Sequence, residues 1–104
     1  MEVLLVDDEP ELARQAKLFL EKENERLDVE IATSGKEGLD KIDRNDYEAI
    51  VSDYRMPDID GLEILKRIRK RGDETPFIVF TGKGREEVAM EALNSGADRY
   101  FLKG

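Results

Sequence analysis

A chain of 104 residues with a net charge of −8 and neither Cys nor His is one domain's worth of polypeptide. It has no means to build a disulfide, a Cys/His zinc site or a Ser-His or Cys-His catalytic pair. The acidic balance opposes nucleic-acid binding and docking on an anionic membrane, both of which rest on Lys and Arg.

Hydrophobic residues make up 39% of the chain, enough for a core. Met1 to Asp8 runs directly into a strand pattern without a basic start or a cleavage site, and no apolar stretch approaches spanning length. A cytoplasmic domain is the expectation.

Val3-Leu4-Leu5-Val6 is an unbroken apolar run, the pattern of a strand covered on both faces. Asp7-Asp8-Glu9-Pro10 follows, with Asp8 a candidate helix N-cap and Pro10 in the first turn. Leu12, Ala16, Phe19 and Leu20 recur at helical spacing and predict the buried side of a first helix. Leu27 to Ile31 alternates and predicts an edge strand with one wet face.

Ser34 is placed to cap a second helix with Leu39 and Ile42 inward. Ala49-Ile50-Val51 is a short buried strand that ends on the acid Asp53, and Pro57 predicts a loop rather than an immediate helix after it. Asp60-Gly61 opens a third helix with Leu62, Leu65 and Ile68 inward. Its basic end, Lys66 to Arg71, suits the negative pole of the helix dipole, and Gly72 is its stop. Phe77 to Phe80 is another doubly buried strand leading to Thr81. A fourth helix carries Val88, Ala89, Ala92 and Leu93 and stops at Gly96, and Tyr100-Phe101-Leu102 is a last strand before Lys103-Gly104.

Strands alternating with helices predict an α/β domain, a doubly wound parallel sheet of the flavodoxin-like kind with right-handed crossovers. The edge character of the second strand and the buried character of the first and third suit the order 2-1-3-4-5. In that order ligands bind beyond the carboxyl ends of strands one and three. Asp7 and Asp8 end the first strand, Asp53 the third, Thr81 the fourth and Lys103 the fifth, so these groups meet over one rim.

Each of them alone is an ordinary turn, cap or surface residue; their coincidence at matching strand ends is the signal. Three packed carboxylates repel one another, and a hard divalent ion relieves this. Mg²⁺ suits the site best, because it takes a few oxygen ligands and completes its shell with water and phosphate oxygens. The favoured chemistry is attack by a carboxylate on a phosphoryl group. It needs positioning and charge neutralisation more than acid–base help, so the lack of His is no obstacle. Asp53 is the expected nucleophile, Lys103 the counter-cation and Thr81 a hydroxyl donor to a phosphoryl oxygen.

Val6-Asp7-Asp8-Glu9-Pro10, Asp53-Tyr54-Arg55-Met56-Pro57-Asp58-Ile59-Asp60-Gly61, Phe80-Thr81-Gly82 and Gly96-Ala97-Asp98 with Tyr100 and Lys103 together resemble the receiver domains of two-component response regulators. The resemblance spans the whole chain. It implies that Asp53 takes a phosphoryl group from a sensor histidine kinase or phosphotransfer domain. It also implies that Asp8, Asp53 and the backbone carbonyl of Arg55 bind Mg²⁺, with Asp7 acting mostly through water. Phosphorylation would then draw Thr81 toward the phosphoryl group and turn the Tyr100 ring inward, a two-state switch presented on the fourth helix and fifth strand.

Lys103 is followed by Gly104 where the family usually has proline, which leaves the geometry of that loop less fixed; position 82 is glycine where alanine is common, and this second departure predicts a shorter-lived acyl phosphate. The family's fifth helix has no counterpart in residues 1–104. A C-terminally incomplete receiver domain is therefore expected, with a bare patch on strands four and five that invites self-association.

The competing reading within the family is a non-phosphorylated receiver-like docking module. An aspartyl-nucleophile phosphatase would want an Asp-x-Asp pattern, whereas Asp7 and Asp8 are adjacent. A flavin site would want a Ser/Thr/Gly-rich loop in place of this acidic one. Gly82-Lys83-Gly84 is no P-loop, because Phe77 stands where its first glycine would be. Asp58 and Asp60 are no EF-hand, because Met56 and Arg67 replace required acids. Self-phosphorylation and dephosphorylation are the only chemistry expected, without a separate turnover substrate.

Overall fold

The computed structural model describes residues 1–81 and 86–102, without the side chains of residues 81, 86, 101 and 102. In chain order the elements are β1 (Glu2–Val6), α1 (Pro10–Glu23), β2 (Asp28–Ala32), α2 (Gly35–Arg44), β3 (Ala49–Asp53), α3 (Gly61–Lys70), β4 (Phe77–Thr81), α4 (Glu86–Asn94) and β5 (Arg99–Leu102). All strand pairings are parallel, in the order β2-β1-β3-β4-β5. That is the predicted topology, with β3 at the centre.

Strand alternation divides the core into two layers. Leu4, Val6, Ile50, Phe77 and Val79 point to the side covered by Ile42 of α2, by Leu62, Leu65 and Ile68 of α3, and by Val88 and Ala92 of α4. Val3, Leu5, Val29 and Val51 point to the other side, where Ala13 of α1 is the buried helical residue. Ile78 and Phe80 of β4 share that second side and are only half-buried, since α1 lies over β1 and β2.

This arrangement corrects the reading of α1. Leu12 and Phe19, expected inward, are exposed (45% and 63%). The helix meets the sheet through Ala13 together with Ala16 and Leu20, both expected inward; the small side chains of the two alanines allow close approach, and Leu12 and Phe19 are left on the flank. Leu93 of α4, also expected inward, is exposed, because Val88, Ala89 and Ala92 are the residues turned to the sheet.

Helix ends follow local chemistry closely. Ser34 Oγ accepts a hydrogen bond from the Glu37 N–H at 3.0 Å, and Asp60 Oδ1 accepts one from the Glu63 N–H at 2.8 Å. The N-cap of α1 is Glu9 rather than Asp8, with no side-chain cap and with Pro10 in the first turn. The acid that turns the chain there is Asp7, whose Oδ1 accepts the Glu9 N–H at 3.0 Å. Gly72 (φ 84°) and Gly96 (φ 104°) follow α3 and α4 in the left-handed region.

At the rim away from the strand ends, Arg69 of α3 donates to the Gly96 carbonyl (2.9 and 3.1 Å) and to the Asp73 carbonyl (2.8 Å). Asp98 Oδ2 accepts the Phe77 N–H at 2.9 Å. This network ties α3 to the turns flanking β4 and β5. On the edge strand, Glu30 accepts from Lys41 Nζ at 2.6 Å and from the Tyr47 hydroxyl at 3.0 Å, so the expected wet face of β2 is bridged to α2.

Candidate functional site

Parallel register builds the site. Val6 pairs with Ser52, so the residues that follow, Asp7 and Asp53, come out of the sheet side by side. Asp7, Asp8 and Asp53 each present a carboxylate oxygen, and those atoms lie within 4.8 Å of one another. Asp53 is buried (5% exposed), while Asp7 and Asp8 are partly exposed. The central strand thus supplies an inner acid and the first strand two outer ones. The N-terminus of α1, the positive pole of its dipole, begins directly after them.

The support beneath Asp53 is backbone packed on backbone. Ser52 Oγ, fully buried, donates to the Asp53 carbonyl oxygen at 2.9 Å. A Cβ at Gly61 would stand 2.5 Å from that same oxygen, so α3 starts this close to the strand only because residue 61 has no side chain. The Tyr54 N–H donates to the Phe80 carbonyl at 2.7 Å, and the Gly61 N–H donates to the Tyr54 carbonyl at 2.9 Å. Met56 is buried in the larger core layer. The loop carrying Arg55 is therefore closed at its base and anchored at its middle.

The sequence reading missed the role of Asp58. Its Oδ1 accepts the Gly35 N–H at 3.0 Å and its Oδ2 the Lys36 N–H at 2.8 Å, which joins the loop to the start of α2. Burial disfavours its charged form and is the largest single influence, but the N–H groups of Lys36, Ile59 and Gly35 together outweigh it and hold this carboxyl below its ordinary range. No local pattern announces such a pairing, because the partners lie 23 and 22 residues away in sequence.

Thr81 is the last residue of β4 and pairs with Leu102, so its backbone reaches the expected rim; its side chain lies outside the described residues. Lys103 and the loop residues Gly82 and Lys83 also lie outside them, as does Gly104. Arg55 is an exposed loop residue, and Tyr100 is 40% exposed on β5. The structure thus gathers Asp7, Asp8 and Asp53, with the ends of β4 and β5 beside them.

Three clustered carboxylate oxygens form an all-oxygen donor set, which suits a hard ion such as Mg²⁺ better than a softer one. No described helix is long and apolar enough to cross a membrane.

The sequence profile of the family described as the response regulator receiver domain matches residues 3–104. The transcriptional regulatory protein SrrA of Staphylococcus aureus is 35% identical over 102 residues, which cover 98% of this chain and 41% of that protein. The chain thus spans less than half the length of these curated relatives. The Francisella response regulator 1452 receiver domain superposes with a TM-score of 0.90 at 38% identity, over 98% of this chain and 83% of its own. Response regulator TrrA of Thermotoga maritima, solved in complex with Mg²⁺ and a beryllium fluoride, superposes with a TM-score of 0.86 at 30% identity, over 99% and 86%. With the sheet order, the acidic rim and the match along nearly its full length in agreement, this chain belongs to the receiver domains of two-component response regulators.

Proposed function

We propose that Asp53 is the phosphoacceptor of this receiver domain and that Asp8, Asp53 itself and the Arg55 carbonyl hold Mg²⁺, with Asp7 acting mostly through water. The observation that carries the proposal is the cluster of three carboxylates at the sheet rim in which only Asp53 is buried. A buried carboxylate carried on a braced strand end is a positioned nucleophile, and positioning is most of what phosphoryl transfer asks of a protein.

One Asp53 carboxylate oxygen would form a bond to phosphorus as the P–N bond to the donor histidine of a sensor kinase or phosphotransfer domain breaks. The imidazole leaves with the bonding pair and Asp53 becomes an acyl phosphate. Mg²⁺ would contribute neutralisation of the phosphoryl oxygens. Thr81 and Lys103 are proposed to contact the remaining oxygens, on the strength of the β4 and β5 ends lying at the same rim. Tyr100, exposed on β5, is the proposed reporter of the switch. The domain would act as a cytoplasmic signalling element without a separate turnover substrate or direct contact with nucleic acid or membrane, in keeping with its charge of −8.

We propose further that the half-covered sheet face around Ile78 and Phe80, with Leu12 and Phe19 on the flank of α1, lets the isolated domain self-associate. The phosphoacceptor reading is tested by titrating the protein with beryllofluoride and Mg²⁺ while following backbone amide NMR shifts. Saturable shifts centred on Asp53 and Thr81 that require Mg²⁺ and vanish in Asp53→Ala are expected. Identical shifts in Asp53→Ala would refute it.

A further inference from the structure

We propose that Asp58 is a positioning residue for the acidic centre: by clamping the β3–α3 loop to the start of α2, it sets how tightly the centre holds its cation. The inference rests on the Mg²⁺ reading above and extends it to a residue outside the cluster. Both Asp58 oxygens are engaged, one by the Gly35 N–H and one by the Lys36 N–H, a fork that fixes direction as well as distance. A second observation marks the same junction. A Cβ at Gly35 would collide with the Ile59 carbonyl oxygen and with the Ile59 side chain. The α2 terminus and the loop therefore meet backbone to backbone, through the one residue type that permits it.

The other fixings of the loop hold its base and middle. Gly61 closes onto the Tyr54 carbonyl, and Met56 is sunk in the core. Between Met56 and Asp60, the N-cap of α3, Ile59 packs against the core, and Asp58 ties the loop to α2 by side-chain hydrogen bonds. Arg55, whose carbonyl is the proposed backbone ligand, lies on this loop. Groups that orient a metal ligand without touching the metal commonly change affinity on the order of tenfold or more when removed.

The test measures Mg²⁺ affinity by calorimetry, thermal melting and amide hydrogen exchange for wild type, Asp58→Ala, Asp58→Asn and Ser34→Ala. Ser34→Ala removes the other cap of the same helix without touching the loop. Asp58→Asn removes the charge but keeps one oxygen to accept an N–H. The clamp predicts faster exchange at Gly35 and Lys36 in Asp58→Ala and a Mg²⁺ affinity weakened about tenfold. Asp58→Asn falls between, and Ser34→Ala binds as wild type although its melting point drops.

Equal loss in Asp58→Ala and Asp58→Asn would reduce the effect to charge and overturn the proposal. Equal loss in Ser34→Ala would reduce it to helix stability and do the same. Unchanged affinity in Asp58→Ala, with exchange accelerated, would show a clamp that positions nothing. A wild type that binds no Mg²⁺ would instead overturn the metal-site reading itself, and the clamp proposal with it.

Discussion

Gly61 is the narrowest fit around Asp53. A methyl group there would press on the Asp53 carbonyl oxygen and approach the fully buried Ser52, so strand or helix must shift. Gly61→Ala is expected to cost about 1–3 kcal/mol, seen as a lower urea midpoint with an unchanged slope. The sequence displayed this glycine and the proline before it, which is why the loop and the acid were legible. It did not display Asp58, whose partners belong to another element. Titratable residues make a second prediction at this scale. Lys41 first and then Tyr47 hold the Glu30 carboxyl below its ordinary value of 4.5, and Thr75 holds that of Asp73 below 3.8. The unfolded chain binds these protons at higher pH than the folded one. Their contributions are therefore present above pH 4.5 and are lost as pH falls through the folded values. Burial first and then the Glu30 carboxylate push the Tyr47 hydroxyl up to about 12. Here the folded state keeps its proton longer, so its contribution is whole below 10 and disappears as pH rises toward 12. Tyr47→Phe should lower the melting point at pH 7 by the loss of one hydrogen bond, about 1 kcal/mol, and flatten the alkaline limb.

Elements were legible where a pattern and a cap agreed. Ser34 and Asp60 stand before apolar periodic runs and do cap α2 and α3; Asp60→Ala is expected to cost about 1 kcal/mol, read by chemical denaturation. The start of α1 departs from the expected Asp8 cap by one residue, to Glu9, and no side chain caps it. Asp7 turns back on the Glu9 N–H, and both Asp7 and Asp8 keep a carboxylate oxygen at the rim. The buried side of α1 was misread in part. Periodicity names a stripe of apolar residues, but which part of the stripe touches the sheet depends on where the helix crosses it. Here the small residues Ala13 and Ala16 make the approach, and Leu12 and Phe19 are left in solvent.

Across the whole molecule, sheet order was the most readable property, since doubly buried runs must be central and an alternating run must be an edge. Central β3 carries Asp53 between β1, which brings Asp7 and Asp8, and β4, which ends at Thr81, so topology alone draws the acidic rim together from distant segments. The same topology leaves Ile78 and Phe80 half-covered. Sedimentation equilibrium should accordingly give an average mass that rises with concentration, and Phe19→Lys should hold it at the monomer. Signalling by this domain turns on the proposed chemistry of one side chain, Asp53. That chemistry is tested most directly by incubating the domain with acetyl phosphate and Mg²⁺ and locating the added phosphoryl group by intact and peptide mass spectrometry. A single Mg²⁺-dependent phosphoryl group on Asp53, absent from Asp53→Asn, is expected. A phosphoryl group elsewhere, or an unmodified Asp53 at saturating donor, would contradict it.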